Sequence, residues 1–177
     1  MNISIFGLGY VGCVSAGCLV KDGHNIIGVD IDTEKVELIN KGIPTVHEKN
    51  LPKLIADGVE KKSLFATTDY EIAVKRTDVS IITVGTPQSK DGSLDLSYLE
   101  KTVTQISTAL LNKKQAHQII IRSTINPGTC KRLQEKVHKI TKNESHVIIC
   151  NPEFLREGSA VYDYNNPPVI IIGTFKK

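Results

Sequence analysis

The chain contains no tryptophan, and aromatic residues fill only 5% of its 177 positions. A surface built to stack nucleobases interleaves aromatics with clustered basic residues. Here 22 Lys and Arg stand against 19 Asp and Glu, a net charge of +3, and the pairs Lys61/Lys62, Lys113/Lys114 and Lys176/Lys177 are isolated from one another. That spread reads as solvated surface and sets nucleic acid aside as a partner. No apolar run approaches the roughly 18 residues that a bilayer-spanning helix needs. The N-terminus runs into an apolar strand with neither a basic leader nor a small-residue cleavage site, so no membrane or export role is expected. The four cysteines, Cys13, Cys18, Cys130 and Cys150, form no C-x-x-C pair, and no His/Cys cluster has zinc spacing. No metal is expected, and free, buried thiols fit a reducing cytoplasm.

What is present is a regular alternation. Ile3 to Phe6, Asn25 to Val29, Ser63 to Thr67, Val79 to Val84, Gln118 to Arg122 and Val147 to Ile149 read as strands, with Val169 to Ile172 as one more. Between them lie segments of helical character. Val11 to Lys21 is small and apolar. Asp32 caps a second helix that stops at Gly42. Asp69 to Arg76, Leu96 to Leu111 and Gly128 to His138 supply three more, and Leu99, Val103, Ile106 and Leu110 repeat at helical spacing. The least regular stretch, Lys41 to Lys61, is expected to leave the sheet as a helical excursion. Strands apolar on both sides, alternating with helices, predict an α/β domain over residues 1–177: a Rossmann-type, doubly wound, mostly parallel sheet with helices on both faces.

The first strand ends in Gly7-Leu8-Gly9-Tyr10-Val11-Gly12, a G-x-G-x-x-G motif. The motif is weak alone and strong in this setting, because it follows a strand, opens a helix, and precedes a second strand that ends in an acid, Asp30. Gly7 permits the tight turn, Gly9 admits a pyrophosphate close to the backbone, and Gly12 lets helix and strand pack closely. The helix N-terminus offers unpaired N–H groups to the phosphates. Asp30 is suited to accept hydrogen bonds from adenosine ribose hydroxyls and to repel a 2′-phosphate. Ile31 follows it where an arginine would welcome that phosphate, and Lys35 is the nearest cation. The expected cofactor is NAD.

In such a sheet ligands sit beyond the carboxyl ends of the strands. Three segments fall there: Val84-Gly85-Thr86-Pro87, Ser123 to Thr129, and Asn151-Pro152-Glu153-Phe154-Leu155-Arg156-Glu157-Gly158. They bring the Thr124 hydroxyl and the Glu153 and Glu157 carboxylates to the mouth of the crevice, where a carboxylate is suited to act as general base. The histidines, His24, His47, His117, His138 and His146, have no partners at catalytic or metal spacing and read as structural.

Taken together, Phe6 to Gly12, Val84 to Pro87, Arg122-Ser123-Thr124 and Asn151 to Gly158 resemble the NAD-binding domain of the UDP-glucose/GDP-mannose dehydrogenase family, over essentially the whole chain. Ala16 to Leu19, Leu94 to Leu96 and Asp163 to Pro168 lean toward the family's GDP-mannose-oxidising branch. The resemblance implies oxidation of a nucleotide sugar's C6 alcohol to a carboxylate with two NAD, through an aldehyde and a cysteine thioester, in polysaccharide precursor synthesis. It implies that Gly7, Gly9, Tyr10, Val11 and Gly12 hold the pyrophosphate. Asp30 and Lys35 would hold the adenosine ribose, and Thr86, Thr124 and Glu157 would line the nicotinamide side. Glu153 and Thr124 would position or activate the hydrolytic water, and Phe154 and Leu155 would touch the nucleotide sugar, GDP-mannose or UDP-glucose. The family's nucleophile lies in a Gly-x-x-Cys-x-x-Lys-Asp segment that does not occur among these 177 residues. The lysine and asparagine of the family's central helix, through which full-length members dimerise, are also missing. The expectation is a cofactor-binding half, inactive alone and plausibly monomeric, with a stand-alone NAD-binding regulatory or split-partner module as the alternative.

Overall fold

The computed structural model describes residues 1–174; the Lys176/Lys177 pair lies outside them. The chain opens with β1 (Asn2–Phe6), α1 (Tyr10–Lys21), β2 (Asn25–Val29), α2 (Thr33–Asn40), α3 (Leu51–Glu60) and β3 (Leu64–Thr67). It continues with α4 (Tyr70–Arg76), β4 (Val79–Ile82), α5 (Ser97–Ala109), β5 (Gln118–Ile121) and α6 (Thr129–Thr141). It closes with β6 (Val147–Cys150), α7 (Ala160–Asn165) and β7 (Gly173–Thr174). The sheet order is β3-β2-β1-β4-β5-β6-β7. The first six strands run parallel, and β7 pairs antiparallel with β6.

Alternate strand residues feed two cores. Ile3, Ile5, Ile26 and Val79 pack with α1, α3 and α7 on one face. Phe6, Ile27, Ile82, Ile119 and Ile121 pack with α4, α5 and α6 on the other. This two-sided burial is why the strands read as nearly unbroken apolar runs. The crossovers from β1 and β4 leave on opposite faces, so the carboxyl ends of these neighbouring strands diverge and open a crevice between them.

The helical excursion expected over 41–61 is α3, which packs onto α1, with Leu51 and Ile55 fully buried and Leu51 so close to Gly17 that a Cβ there would come within 2.8 Å of it. Two expectations change. The strand expected at 169–172 forms instead at 173–174. Gly173 pairs with Cys150 and Thr174 with Ile149; continuing that register would set Ile171 against Pro152, which has no N–H to give. The Ile171 carbonyl accepts the Asn151 side-chain amide instead, 2.9 Å away. Finally, α7 was not foreseen, since six residues are too few to show a helical period.

Candidate functional site

The crevice is built around Gly7. Its φ of +95° suits glycine, and its N–H donates to Val29 O at 2.8 Å. A Cβ on Gly7 would meet the Thr83 and Val84 backbone at 3.1 Å, and one on Gly12 would lie 1.8 Å from the Gly7 carbonyl. The Thr83 hydroxyl, 3.0 and 2.8 Å from the Phe6 and Gly7 carbonyls, pins the turn to β4. Gly9 differs, because a Cβ there would meet nothing within 4 Å. Gly9 is also the N-cap of α1, where no side chain accepts a hydrogen bond from the first turn and no acidic residue stands in it. The opening of α1 therefore presents free donors and a partial positive charge to whatever lies over Gly9.

Asp30 closes one end. Its two oxygens accept from Leu8 N at 2.6 Å and Asp32 N at 3.0 Å, and Lys35 Nζ lies 4.0 Å away. Each oxygen keeps lone pairs for a further donor. Gly7, Gly9, Asp30, Lys35, Thr83, Val84 and Gly85 line a cleft of about 260 Å³, completed by Tyr98, Lys101 and Gln105 from α5. Thr83, Val84 and Gly85 also line the next cavity, of about 160 Å³, with Val11, Thr86, Arg122, Thr124 and Glu153. Thr86 Oγ1 donates to Thr124 O at 2.9 Å, tying the ends of β4 and β5 together. Glu153 and Arg122 also border a third cavity, of about 270 Å³, with Asn151, Phe154, Leu155 and Tyr164. One groove thus runs from Asp30 past the start of α1 to Glu153, and a further cavity opens beyond it.

The structure brings together Gly7, Gly9, Asp30 and Lys35 at one end, Val11, Thr86, Thr124 and Glu153 in the middle, and Phe154 and Leu155 at the far end. Gly12 lies buried beneath the turn. Two expected residues sit apart from these cavities. The Tyr10 side chain turns away to donate to the Glu48 carboxylate, and its hydroxyl is pushed up to about 12, by burial first and then by that hydrogen bond. Glu157 is exposed beside it. Residues that sequence reasoning left without a role are Thr83, whose only sign was its place directly before Val84, and Arg122, which entered only as part of the Arg122-Ser123-Thr124 motif. The Arg122 guanidinium donates to Asn151 Oδ1 at 2.7 Å and lies 6.0 Å from the centre of the Tyr164 ring. Burial lowers its pKa, with the charges of Tyr164 and Glu153 opposing.

A glycine turn at the switch point of a 3-2-1-4-5-6 parallel sheet, with an uncapped helix behind it and an acid at the end of the neighbouring strand, defines a dinucleotide-binding domain. The cradle fits NAD on this structure's own terms: the one turn glycine with open space before it faces the groove, and the acid retains acceptor capacity. Comparison with known proteins narrows the class. The family model of the UDP-glucose/GDP-mannose dehydrogenase family, NAD binding domain, matches residues 1–177, and the chain belongs to that family. It is 42% identical to GDP-mannose 6-dehydrogenase of Pseudomonas savastanoi pv. phaseolicola over all of this chain and 41% of that protein. It superposes on a ternary-complex structure of GDP-mannose dehydrogenase from Pseudomonas aeruginosa with a TM-score of 0.96 at 42% identity, over 99% of this chain and 41% of the other. On UDP-glucose dehydrogenase from Pyrobaculum islandicum the TM-score is 0.92 at 34% identity, over 98% of this chain and 40% of that one. The chain therefore spans about 41% of the length of these relatives. Among the described residues no helix is long and apolar enough to cross a membrane.

Proposed function

We propose that residues 1–177 are the cofactor-holding domain of an NAD-dependent nucleotide-sugar 6-dehydrogenase that makes uronate precursors for polysaccharides in the cytoplasm. The observation that carries this is the continuous groove from Asp30 to Glu153. A dinucleotide laid along it sets its adenosine ribose on Asp30 and Lys35. Its pyrophosphate lies over Gly9 and the N–H groups of Tyr10 and Val11, and its far end reaches Thr86 and Thr124. Bound NAD supplies the hydride acceptor. The chain's own residues do the rest. Glu153 Oε2 is held by the Leu155 N–H at 2.6 Å, which fixes the carboxylate and leaves Oε1 to take a proton from a hydroxyl or a water. Thr124 stands across the same cavity. Phe154 and Leu155 open toward the cavity where the sugar is placed. Among the candidate sugars GDP-mannose ranks above UDP-glucose, because the GDP-mannose relatives are the more similar.

Calorimetric titration tests this. One NAD is expected to bind per chain, and Asp30→Ala is expected to weaken it by about tenfold or more, since each tenfold is only 1.4 kcal/mol, within the range of one charged hydrogen bond. Absence of NAD binding, or an Asp30→Ala affinity equal to that of the unaltered chain, would overturn the proposal.

A further inference from the structure

Glu48 lies in the irregular stretch before α3, yet it is only 7% exposed. A carboxylate is rarely buried without a partner. Among the described residues no cation lies within ion-pair distance of it; its partners are neutral donors from three separate parts of the chain. The Tyr10 hydroxyl, on the first residue of α1, donates to Oε2. The Gly158 N–H donates to the same oxygen at 2.9 Å and approaches the Tyr10 hydroxyl at 3.2 Å. The Lys49 N–H reaches Oε1 at 3.2 Å, and the Ala160 N–H adds another. Burial opposes the charge of Glu48, but the Tyr10 hydroxyl and these N–H groups outweigh it and hold the carboxyl below its usual range. Gly158 adopts φ of +84° at this point, a left-handed turn that suits glycine.

We infer that Glu48 is a positioning residue for the dinucleotide groove: with the Tyr10 hydroxyl it latches the segment that carries Glu153 and Glu157 onto the first turn of α1. The inference rests on the NAD reading of that groove and goes beyond it, because Glu48 lines neither the Asp30 cleft nor the Glu153 cavity. The segment runs into α7, which packs on α1 through Ala160 and Val161 and accepts from Lys21 Nζ at Asn165 Oδ1, 3.3 Å away, toward the far end of α1. Asp163 of α7 accepts from Arg156 N at 3.0 Å and from its guanidinium at 2.7 and 3.1 Å, and Ser159 Oγ lies 3.1 Å away. These bonds make the segment and α7 one unit, and the Glu48 and Tyr10 hydrogen bonds fix that unit at the first turn of α1, beside the glycine turn. With the latch closed before any ligand arrives, Glu153 and Glu157 stand at a set distance from the pyrophosphate donors, which lowers the ordering cost of binding. Asp30 and Lys35 lie at the other end of the groove and are independent of it.

The test uses the full chain with Glu48→Ala, Glu48→Gln and Tyr10→Phe, each titrated with NAD and with AMP, and amide exchange followed without ligand. Glu48→Ala is expected to weaken NAD about tenfold while AMP changes less than about twofold, the signature of misplacing only the nicotinamide half. Glu48→Gln keeps an acceptor oxygen and is expected to restore most of the loss. Exchange at Gly158 and Ala160 is expected to accelerate in Glu48→Ala while the interior amides of α1 stay protected. A general loosening would instead move NAD and AMP together and expose α1, and that result overturns the inference. An unchanged ratio of NAD to AMP affinity, or unchanged exchange at Gly158, does so too. If Glu48→Ala does not fold, Tyr10→Phe, which removes one hydroxyl, carries the same comparison with a smaller shift in the same direction. If the unaltered chain binds no NAD, the proposed function falls, and exchange at Gly158 still decides whether the latch exists.

Discussion

Gly9 and Gly12 stand three residues apart in one turn, yet an added methyl group meets opposite surroundings at each. At Gly12 it would lie 1.8 Å from the Gly7 carbonyl and 2.7 Å from Thr83 Oγ1, so the turn or α1 must move, at a cost of roughly 3 kcal/mol or more. At Gly9 it meets nothing, and φ there is −74°, a value open to alanine. Gly12→Ala is therefore expected to lower the urea midpoint sharply. Gly9→Ala is expected to leave it unchanged while weakening NAD at least about tenfold. Equal stability losses in the two would show that Gly9 serves packing and not the pyrophosphate. Asp30 sets the second expectation at this scale. A carboxylate about 4 Å from a 2′-phosphate is opposed by roughly 4 kcal/mol per charge pair at an effective dielectric of 20. Lys35, 4.0 Å from Asp30, offsets part of that. NAD is expected to bind about 100-fold more tightly than NADP, a preference of about 2.7 kcal/mol. Comparable affinities by calorimetry would mean that the ribose hydroxyls do not sit on Asp30.

Between elements, the apolar sheet is crossed by one ordered polar chain. Lys113, beyond α5, donates to Val74 O at 3.0 Å, to Thr77 O and to His117 Nδ1 at 3.1 Å, so its three protons close the C-terminal end of α4. His117 Nε2 then donates to Ser80 Oγ at 2.8 Å, which lies 2.8 Å from Ser4 Oγ. His117 is pushed down to about 3, by burial first and then by the charges of Lys113 and His146, with Asp78 opposing. Burial also lowers His146, with Lys113 adding to the effect. The His117 ring therefore stays neutral in the folded chain where the unfolded chain protonates, near pH 6.5, and the His146 ring is shifted the same way. Stability is therefore intact above that pH and, through His117, is lost as pH falls from about 6.5 toward 3, at about 1.4 kcal/mol per pH unit, with His146 acting in the same direction. Urea midpoints measured across that window are expected to fall, with a shallower slope in His117→Gln. An equal slope in that variant would place the acid sensitivity elsewhere.

What was legible in the sequence follows the same division between elements. Strands β1, β2 and β4 announced themselves because both faces are buried, β5 and β6 because they are short unbroken apolar runs, and the glycine spacing and Asp30 because a turn and a strand end are local features. Glu153 was visible from its place just past β6. Glu48 was not, since its distant partners lie 38 and 110 residues away and three of its four donors are backbone N–H groups, which leave no mark on the side-chain pattern. Tyr10 was expected at the pyrophosphate; its position opens α1 there, but its side chain turns to Glu48. The displaced β7 turned on Pro152, whose effect appears only once the pairing register is known.

For the molecule as a whole, the question is how far the reaction can run on these residues. The groove from Asp30 to Glu153 is lined entirely by residues of this chain. The second oxidation proposed for this family passes through a thioester, and a thioester needs a thiolate at the sugar. Cys13, Cys18 and Cys130 are buried, and burial pushes Cys18 and Cys130 up to about 12 and raises Cys13. Cys150 is half-buried, and none of the four lines the three cavities of the site. A buried thiol in apolar surroundings is a poor nucleophile. The 177-residue chain is accordingly expected to bind NAD with one-to-one stoichiometry and, with GDP-mannose or UDP-glucose added, to form no NADH beyond a single equivalent. Absorbance followed over many equivalents of NAD reads this directly. Steady NADH formation that thiol alkylation abolishes would mean that one of these four cysteines reaches the sugar, and the division of labour proposed here would be wrong. Steady formation insensitive to alkylation would leave Glu153 and Thr124 carrying only the first oxidation, with an aldehyde as the product to be identified.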